Sequence, residues 1–281
     1  MKLLYCFIFL ACVPLAAAVD LSAQVPAQKI ATEEDIKRDL QLVPCKSSER
    51  FAAVEKLFRS MGAADTDISV LEKKGTKNLV VTKKGAGNEM VIVGAHFDKV
   101  GDGCGALDNW TGIVAIANLY GTLRNAPLAK TFKFVAFDKE ESGLLGSKAF
   151  VGEIRKEERD LYCAMVNLDS FGLAQPQVMG NTSNSKLTSA AQTLWTRMKL
   201  KLSSASIAGA GADSSSFLDA GIPAITFHGL TNDWSKFLHT QNDKLSNVNS
   251  ESVFLGYRFV LPFLIEIDNA GCGDFRKKVI R

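Results

Sequence analysis

Apolar and polar positions along this chain switch between a period near 3.6 and short unbroken apolar runs, which predicts helices interleaved with buried strands. Thr32, followed three residues later by Asp35, opens a short helix over 32–42 that stops near Pro44. A second helix fits 47–61, where Phe51, Val54, Leu57 and Phe58 recur at helical spacing before Gly62. Residues 68–71, 78–82 and 90–95 read as strands separated by Lys/Gly turns. Helix 112–124 carries Ile113, Ile116, Ala117, Tyr120 and Leu123 on one face, and TFKFVAF at 131–137 is another strand. A helix is expected over 142–154, a strand over 161–168, at most a short strand over 176–179, and a helix over 185–198. Residues 202–212 are rich in small residues and carry no clear pattern. A short helix over 213–220, a buried strand closing near 227 and a polar loop over 229–245 come next, and the closing helix over 250–267 should bend or break at Pro262.

Strands apolar on both faces belong in the covered interior of a sheet. The expected fold is therefore α/β: a single-domain three-layer α/β/α arrangement with a mixed, mainly parallel central sheet. With 281 residues, 47% hydrophobic and 22% charged, the chain has globular composition and little room for a second large domain.

Residues 1–18, MKLLYCFIFLACVPLAAA, pair Lys2 with an apolar core and a small-x-small end, the pattern of a secretory signal. Residues 19–45 then form an N-terminal segment, in part open to processing, and 46–281 the main domain. No later stretch reaches membrane-spanning length, so no membrane anchor is expected and the mature chain should be exported. Beyond the leader stand Cys45, Cys104, Cys163 and Cys272. An exported chain makes disulfides plausible, four cysteines allow three pairings, and the sequence does not choose among them. Cys163 also reads as a buried small hydrophobe. A net charge of +3 and lysine pairs without interleaved aromatics argue against a nucleic-acid partner. Oligomeric state leaves no mark in the pattern.

The chemistry gathers where strands end. The apolar run 90–95 delivers His96 and Asp98, a glycine-rich loop leads on to Asp108, strand 131–137 ends in Asp138-Lys139-Glu140-Glu141, and strand 161–168 ends at Asp169. Open α/β sheets bind ligands beyond the carboxyl ends of their strands. Three such placements argue for one shared cleft. Two of the three histidines lie in motifs with nearby acids, His96 here and His239 in FLHTQND. Imidazole with carboxylate is a donor set suited to zinc. Asp98 fits the acceptor of the second imidazole N–H better than a ligand. Adjacent Glu140 and Glu141 diverge, so one could bind metal while the other reaches an attacking water.

These motifs resemble the co-catalytic dizinc aminopeptidases, the family of secreted bacterial leucyl aminopeptidases with glutamate carboxypeptidases and glutaminyl cyclases as distant relatives. GAHFD, GALDNWTG, DKEESGLLGS, NLDSFG and FLHTQND occur in the family's order between about residues 89 and 248. The resemblance implies two zinc ions: His96 binds one, Asp108 bridges both, Glu141 binds one ion and Asp169 the other, and His239 completes the second ion's shell, so that each ion has one imidazole, one terminal carboxylate and a share of Asp108. It implies Glu140 as general base, Asp98 as its catalytic neighbour, a cis peptide between Asp108 and Asn109, and peptide substrates with a free N-terminus. The glutaminyl cyclase alternative uses one zinc, and GALDNWTG and EESGLLGS argue against it. A binding domain without activity is the remaining alternative.

One departure stands out: the family's common Asp-His pair reads Asp213-Ser214 in GADSSSFLDAGIPAI. Trp110, Phe217, Phe227 and His228, with Leu230 and Trp234, are candidates for the substrate pocket. Cys104 sits in the loop before Asp108, where a disulfide could brace it. Asn109-Trp-Thr111 and Asn181-Thr-Ser183 match the glycosylation sequon, the first inside the proposed site and the second in a candidate surface loop.

Overall fold

The computed structural model describes residues 29–199, 203–207 and 211–276. The expected leader at 1–18 and the lysine pair Lys277/Lys278 lie outside these. Eight strands form one mixed sheet in the order β1-β2-β4-β3-β5-β8-β6-β7: β1 Ile68–Lys73, β2 Thr76–Lys83, β3 Met90–His96, β4 Thr131–Phe137, β5 Tyr162–Leu168, β6 Gln177–Met179, β7 Ser203–Ala205 and β8 Ala224–His228. The central run β4-β3-β5-β8 is parallel throughout, while β1-β2, β2-β4 and β8-β6 pair antiparallel. Parallel neighbours put their carboxyl ends on one edge, so His96, the residues after Phe137 and Asp169 emerge side by side.

Side chains alternate across the sheet. Val91, Val93 and Ala95 of β3 and Phe132, Phe134 and Ala136 of β4 enter the larger core. Helices α1 Glu33–Leu40, α2 Ser47–Ser60, α3 Thr111–Leu123, α5 Ser185–Arg197 and α7 Ser250–Asn269 cover that face. Ile92, Val135 and Phe137 enter the opposite core, covered by α4 Leu145–Val151 and α6 Asp213–Asp219. This is the expected three-layer α/β/α arrangement. Asp35 accepts the Thr32 N–H while Thr32 accepts that of Asp35, the reciprocal cap that opens α1.

Three local expectations change. Helix α4 starts only at Leu145, because Gly143 and Leu144 adopt positive φ and turn the chain first. Helix α7 passes through Pro262 without a break. Phe259, Val260, Phe263, Leu264 and Ile267 are buried on both sides of the proline, and their packing outweighs the one hydrogen bond it removes. The unpatterned stretch yields the short edge strand β7. The cysteines pair as Cys45–Cys104 and Cys163–Cys272, and the first joins the start of α2 to the loop before Asp108.

Candidate metal centre

Each functional side chain is delivered by a strand end and fixed by its loop. His96 is the last residue of β3 and is buried, with Nε2 3.0 Å from Asp108 Oδ1 and 3.5 Å from Asp169 Oδ1. His239, half exposed on the loop before α7, brings Nε2 to 3.1 Å from Asp108 Oδ2 and 3.1 Å from Glu141 Oε2. His96, Asp108 and Asp169 form one cluster of potential metal donors, and Asp108, Glu141 and His239 form another. Asp108 belongs to both, one oxygen facing each imidazole. Glu140 forms a further set with His96 and Glu141.

Asp108 is held by what surrounds it. The Asp108–Asn109 peptide is cis. Buried Asn109 accepts the N–H of Gly112 and of Ser170 and donates to Leu168 O, which ties the turn Ala106–Trp110 to the end of β5. A Cβ at Gly112 would lie 2.4 Å from both Asn109 Oδ1 and Leu168 O, so only glycine fits there. Asp98 accepts the backbone N–H of Glu140 and of Glu141 at 3.0 and 3.2 Å. It faces His96 Nδ1 at 3.4 Å without a formed hydrogen bond.

Charge is crowded here. Burial opposes a charge on His96, yet the carboxylates of Asp108, Asp169 and Asp98 outweigh it and hold the ring's pKa well above its ordinary value. Asp108 and Glu141 push that of His239 up to about 10. Burial raises Glu141, and it pushes Glu140 up to about 10, with Asp169, Asp213 and Asp108 adding to the effect against the pull of His96. Glu141 Oε1 and His96 Nδ1 are buried without a partner. A set of buried carboxylates facing two imidazoles, with Glu141 Oε1 left unpartnered among the described residues, fits two divalent cations. The mixed imidazole and carboxylate ligands suit zinc.

The clusters floor a cleft of about 400 Å³, whose other wall carries Leu144, Met179, Ile207, Leu230, Trp234 and Leu238. Of the pocket candidates, Leu230 and Trp234 reach this cleft. Trp110, Phe217 and Phe227 do not, which corrects that expectation. Trp110 is fully buried with its indole N–H on Asp39 O, Phe217 packs against Phe137 and Phe150, and Phe227 against Trp195 and Phe263. Their large apolar area gains more in the core than at a wet cleft. His228 lines a neighbouring cavity. In the Asp213-Ser214 pair, Ser214 Oγ is spent on Thr182 O and Thr226 Oγ1, while Asp213 is buried with both oxygens unpartnered and raised to about 7 by burial. The Asn109 sequon is buried, and Asn181 is exposed.

Two further residues are important to this geometry: Arg50, which lies in no motif, and Asp243, the last residue of FLHTQND. Arg50 is fully buried and donates to the carbonyls of Pro44, Phe97, Cys104 and Gly105. Asp243 accepts the Leu107 N–H.

Fold and site together define a metal-dependent hydrolase with two clusters suited to a co-catalytic metal pair. The chain belongs to peptidase family M28, whose model matches residues 78–260. It is 26% identical over 240 residues to a probable leucine aminopeptidase of Trichophyton verrucosum, covering 77% of this chain and 63% of that protein. The chain thus spans less than two thirds of that relative. Among solved structures it resembles LapB of Legionella pneumophila at a TM-score of 0.75 and 22% identity, over 89% of this chain and 76% of that one. BSAP, a zinc aminopeptidase of Bacillus subtilis, is similar at 0.63 and 24% identity, over 72% of this chain and 53% of that one. The glutaminyl cyclase of an Acidobacteriales bacterium is similar in fold at 0.69 and 15% identity, over 87% and 98%.

Proposed function

We propose that this protein is an exported two-zinc aminopeptidase that removes an apolar first residue from peptides with a free N-terminus. The observation that carries the reading is the sharing of Asp108 between two ligand clusters in one cleft with Glu140. His96 and Asp169 complete one ion's protein ligands, and Glu141 and His239 the other's. Bound there, two zinc ions supply the positive charge that acidifies a water and polarises the scissile carbonyl.

Glu140 is the general base, taking the proton of the attacking water and passing it to the departing amine. Asp98 positions it by holding the backbone N–H of Glu140 and Glu141. Neighbouring carboxylates receive the free α-ammonium, and Met179, Ile207, Leu230, Trp234 and Leu238 offer an apolar seat for the first side chain. Residues 1–18 are the export signal, and 46–281 form the peptidase domain. Helix α1 packs Ile36 and Leu40 into the core, which supports retention of residues from about Ala31 onward in the mature chain. Among the described residues no helix is long and apolar enough to cross a membrane.

The test is zinc stoichiometry together with hydrolysis of free-amino and amino-blocked peptides, for the parent and Glu140→Ala. Two zinc ions per chain, cleavage only of free-amino peptides and loss of turnover in Glu140→Ala with zinc retained are expected. One zinc with cyclisation of N-terminal glutamine would replace the reading with the cyclase, whose fold this chain nearly spans. Bound zinc with neither activity would point to a binding domain.

A further inference from the structure

Behind the apolar wall of the cleft lies a second cavity of about 550 Å³, and the two share Ile207, Leu230 and Trp234. Both are of a size that holds a ligand. The second differs in chemistry: Gln177, Ser206, Thr231, Asn232 and His228 line it, and among the described residues no charged side chain does. His228 is 1% exposed and is the last residue of β8, beside β5, which Asp169 follows. Its Nδ1 accepts the Leu230 N–H at 3.1 Å, so the neutral ring carries its proton on Nε2. That Nε2 is buried and has no partner among the described residues. A buried donor left unpaired is costly and calls for an acceptor from outside the chain.

Resting on the aminopeptidase reading above, we infer that this cavity is a second subsite for the peptide downstream of the bond cut, with the His228 Nε2–H donating to a backbone carbonyl there. The uncharged lining suits peptide groups, which offer both donors and acceptors without net charge, and is unsuited to a terminal ammonium or carboxylate. The first side chain already has its apolar seat on the cleft side of the shared wall, so the cavity beyond is left for the later residues of the substrate. Gln177 donates to Leu230 O at 2.9 Å, which holds in place the residue that separates the two chambers.

The experiment compares kcat/KM for the amide of leucyl-alanine with that for the amide of leucyl-trialanine, using the zinc-loaded full chain. In the parent the longer peptide should be favoured about tenfold, mainly through KM, as one well-made neutral hydrogen bond allows. His228→Phe should bring the ratio close to unity, and His228→Gln, which keeps an N–H donor, should recover most of it. Ser206→Leu, at an exposed position on the same cavity, should lower the ratio by obstruction and serves as the second test if His228→Phe fails to fold. A ratio that is flat in the parent, or the same in all variants, overturns the inference. So does a changed ranking of first residues with the length preference intact, since the cavity would then hold the first side chain. If the zinc-loaded parent cleaves neither amide, it is the aminopeptidase reading that fails.

Discussion

Asp243 and Leu107 are joined by a 2.6 Å hydrogen bond from the Leu107 N–H to the Asp243 carboxylate, across a sequence separation of 136. The Asp243 carbonyl also accepts the Cys104 N–H at 2.7 Å. One residue therefore ties the loop that carries His239 to the turn that carries Asp108. Burial, with the Asp108 charge behind it, pushes the carboxyl up to about 6. Asp243→Ala should loosen Asp108 and His239, two of the three ligands of the second cluster, and weaken zinc there by about 10- to 100-fold, the usual cost of losing a partner that orients ligands. Asp243→Asn keeps an accepting oxygen and should lose much less. Zinc competition against a chromogenic chelator separates the two variants.

Arg50 holds the other side of the same loop. Its guanidinium donates to four backbone carbonyls from a fully buried position, and burial lowers its pKa only to about 10, so it stays charged near neutrality. Arg50→Ala leaves those carbonyls unmatched and should cost about 3 kcal/mol or more in denaturant unfolding. Arg50→Lys should not rescue, because one ammonium cannot replace a planar fork. The Cys45–Cys104 bridge closes a loop of 59 residues, worth ~4 kcal/mol on the chain-entropy account. Both devices act on Cys104 and Gly105, so a double removal should cost less than the sum of the two.

The order of strand and ligand was legible because a buried parallel strand must be apolar and must shed its charged residues at its end. That rule alone brings His96, Glu140, Glu141 and Asp169 to one edge. Arg50 was hidden by its charge. It occupies the first position of the stripe Arg50, Val54, Leu57, Phe58, the residues of α2 that are buried, whereas the apolar periodicity points to Phe51. A cation at the head of a buried stripe, one turn before its first aliphatic residue, was the available signal. The aromatic candidates failed for a different reason. Composition cannot tell a core aromatic from a pocket aromatic, and the sheet face that decides it for Phe227 depends on which helix covers that face.

His228 gives the folded protein a pH dependence of definite sign. Burial pushes its pKa down to about 4, against a weaker opposing effect of Asp169. The folded ring resists protonation that the unfolded ring accepts near 6.5, so the unfolded state binds more protons between these values. Stability from this group is present above pH 6.5 and is lost as pH falls through 6.5 towards 4, by about 3 kcal/mol at most. His228→Gln should flatten that part of the profile. Chemical denaturation at pH 7, 5.5 and 4.5, in parent and variant, reads it directly.

His239 has the opposite sign, and it makes zinc binding a proton-releasing event. In the metal-free protein Asp108 and Glu141 hold the ring's pKa up to about 10, so its stabilising contribution is full below 6.5 and lost as pH rises through 10. A metal ligand needs the Nε2 lone pair, so the proton must leave when the ion enters. His96, raised well above its ordinary value by Asp108, Asp169 and Asp98 against its burial, must do the same. Loading the stripped protein with zinc near pH 7.5 should therefore release at least about two protons per chain, and apparent affinity should fall as pH is lowered. Titration calorimetry in buffers of different ionisation enthalpy measures that number. His239→Ala should lower both the protons released and the zinc bound by about one, while the His96, Asp108 and Asp169 cluster keeps its ion. Full release and two ions retained in His239→Ala would remove His239 from the ligand set.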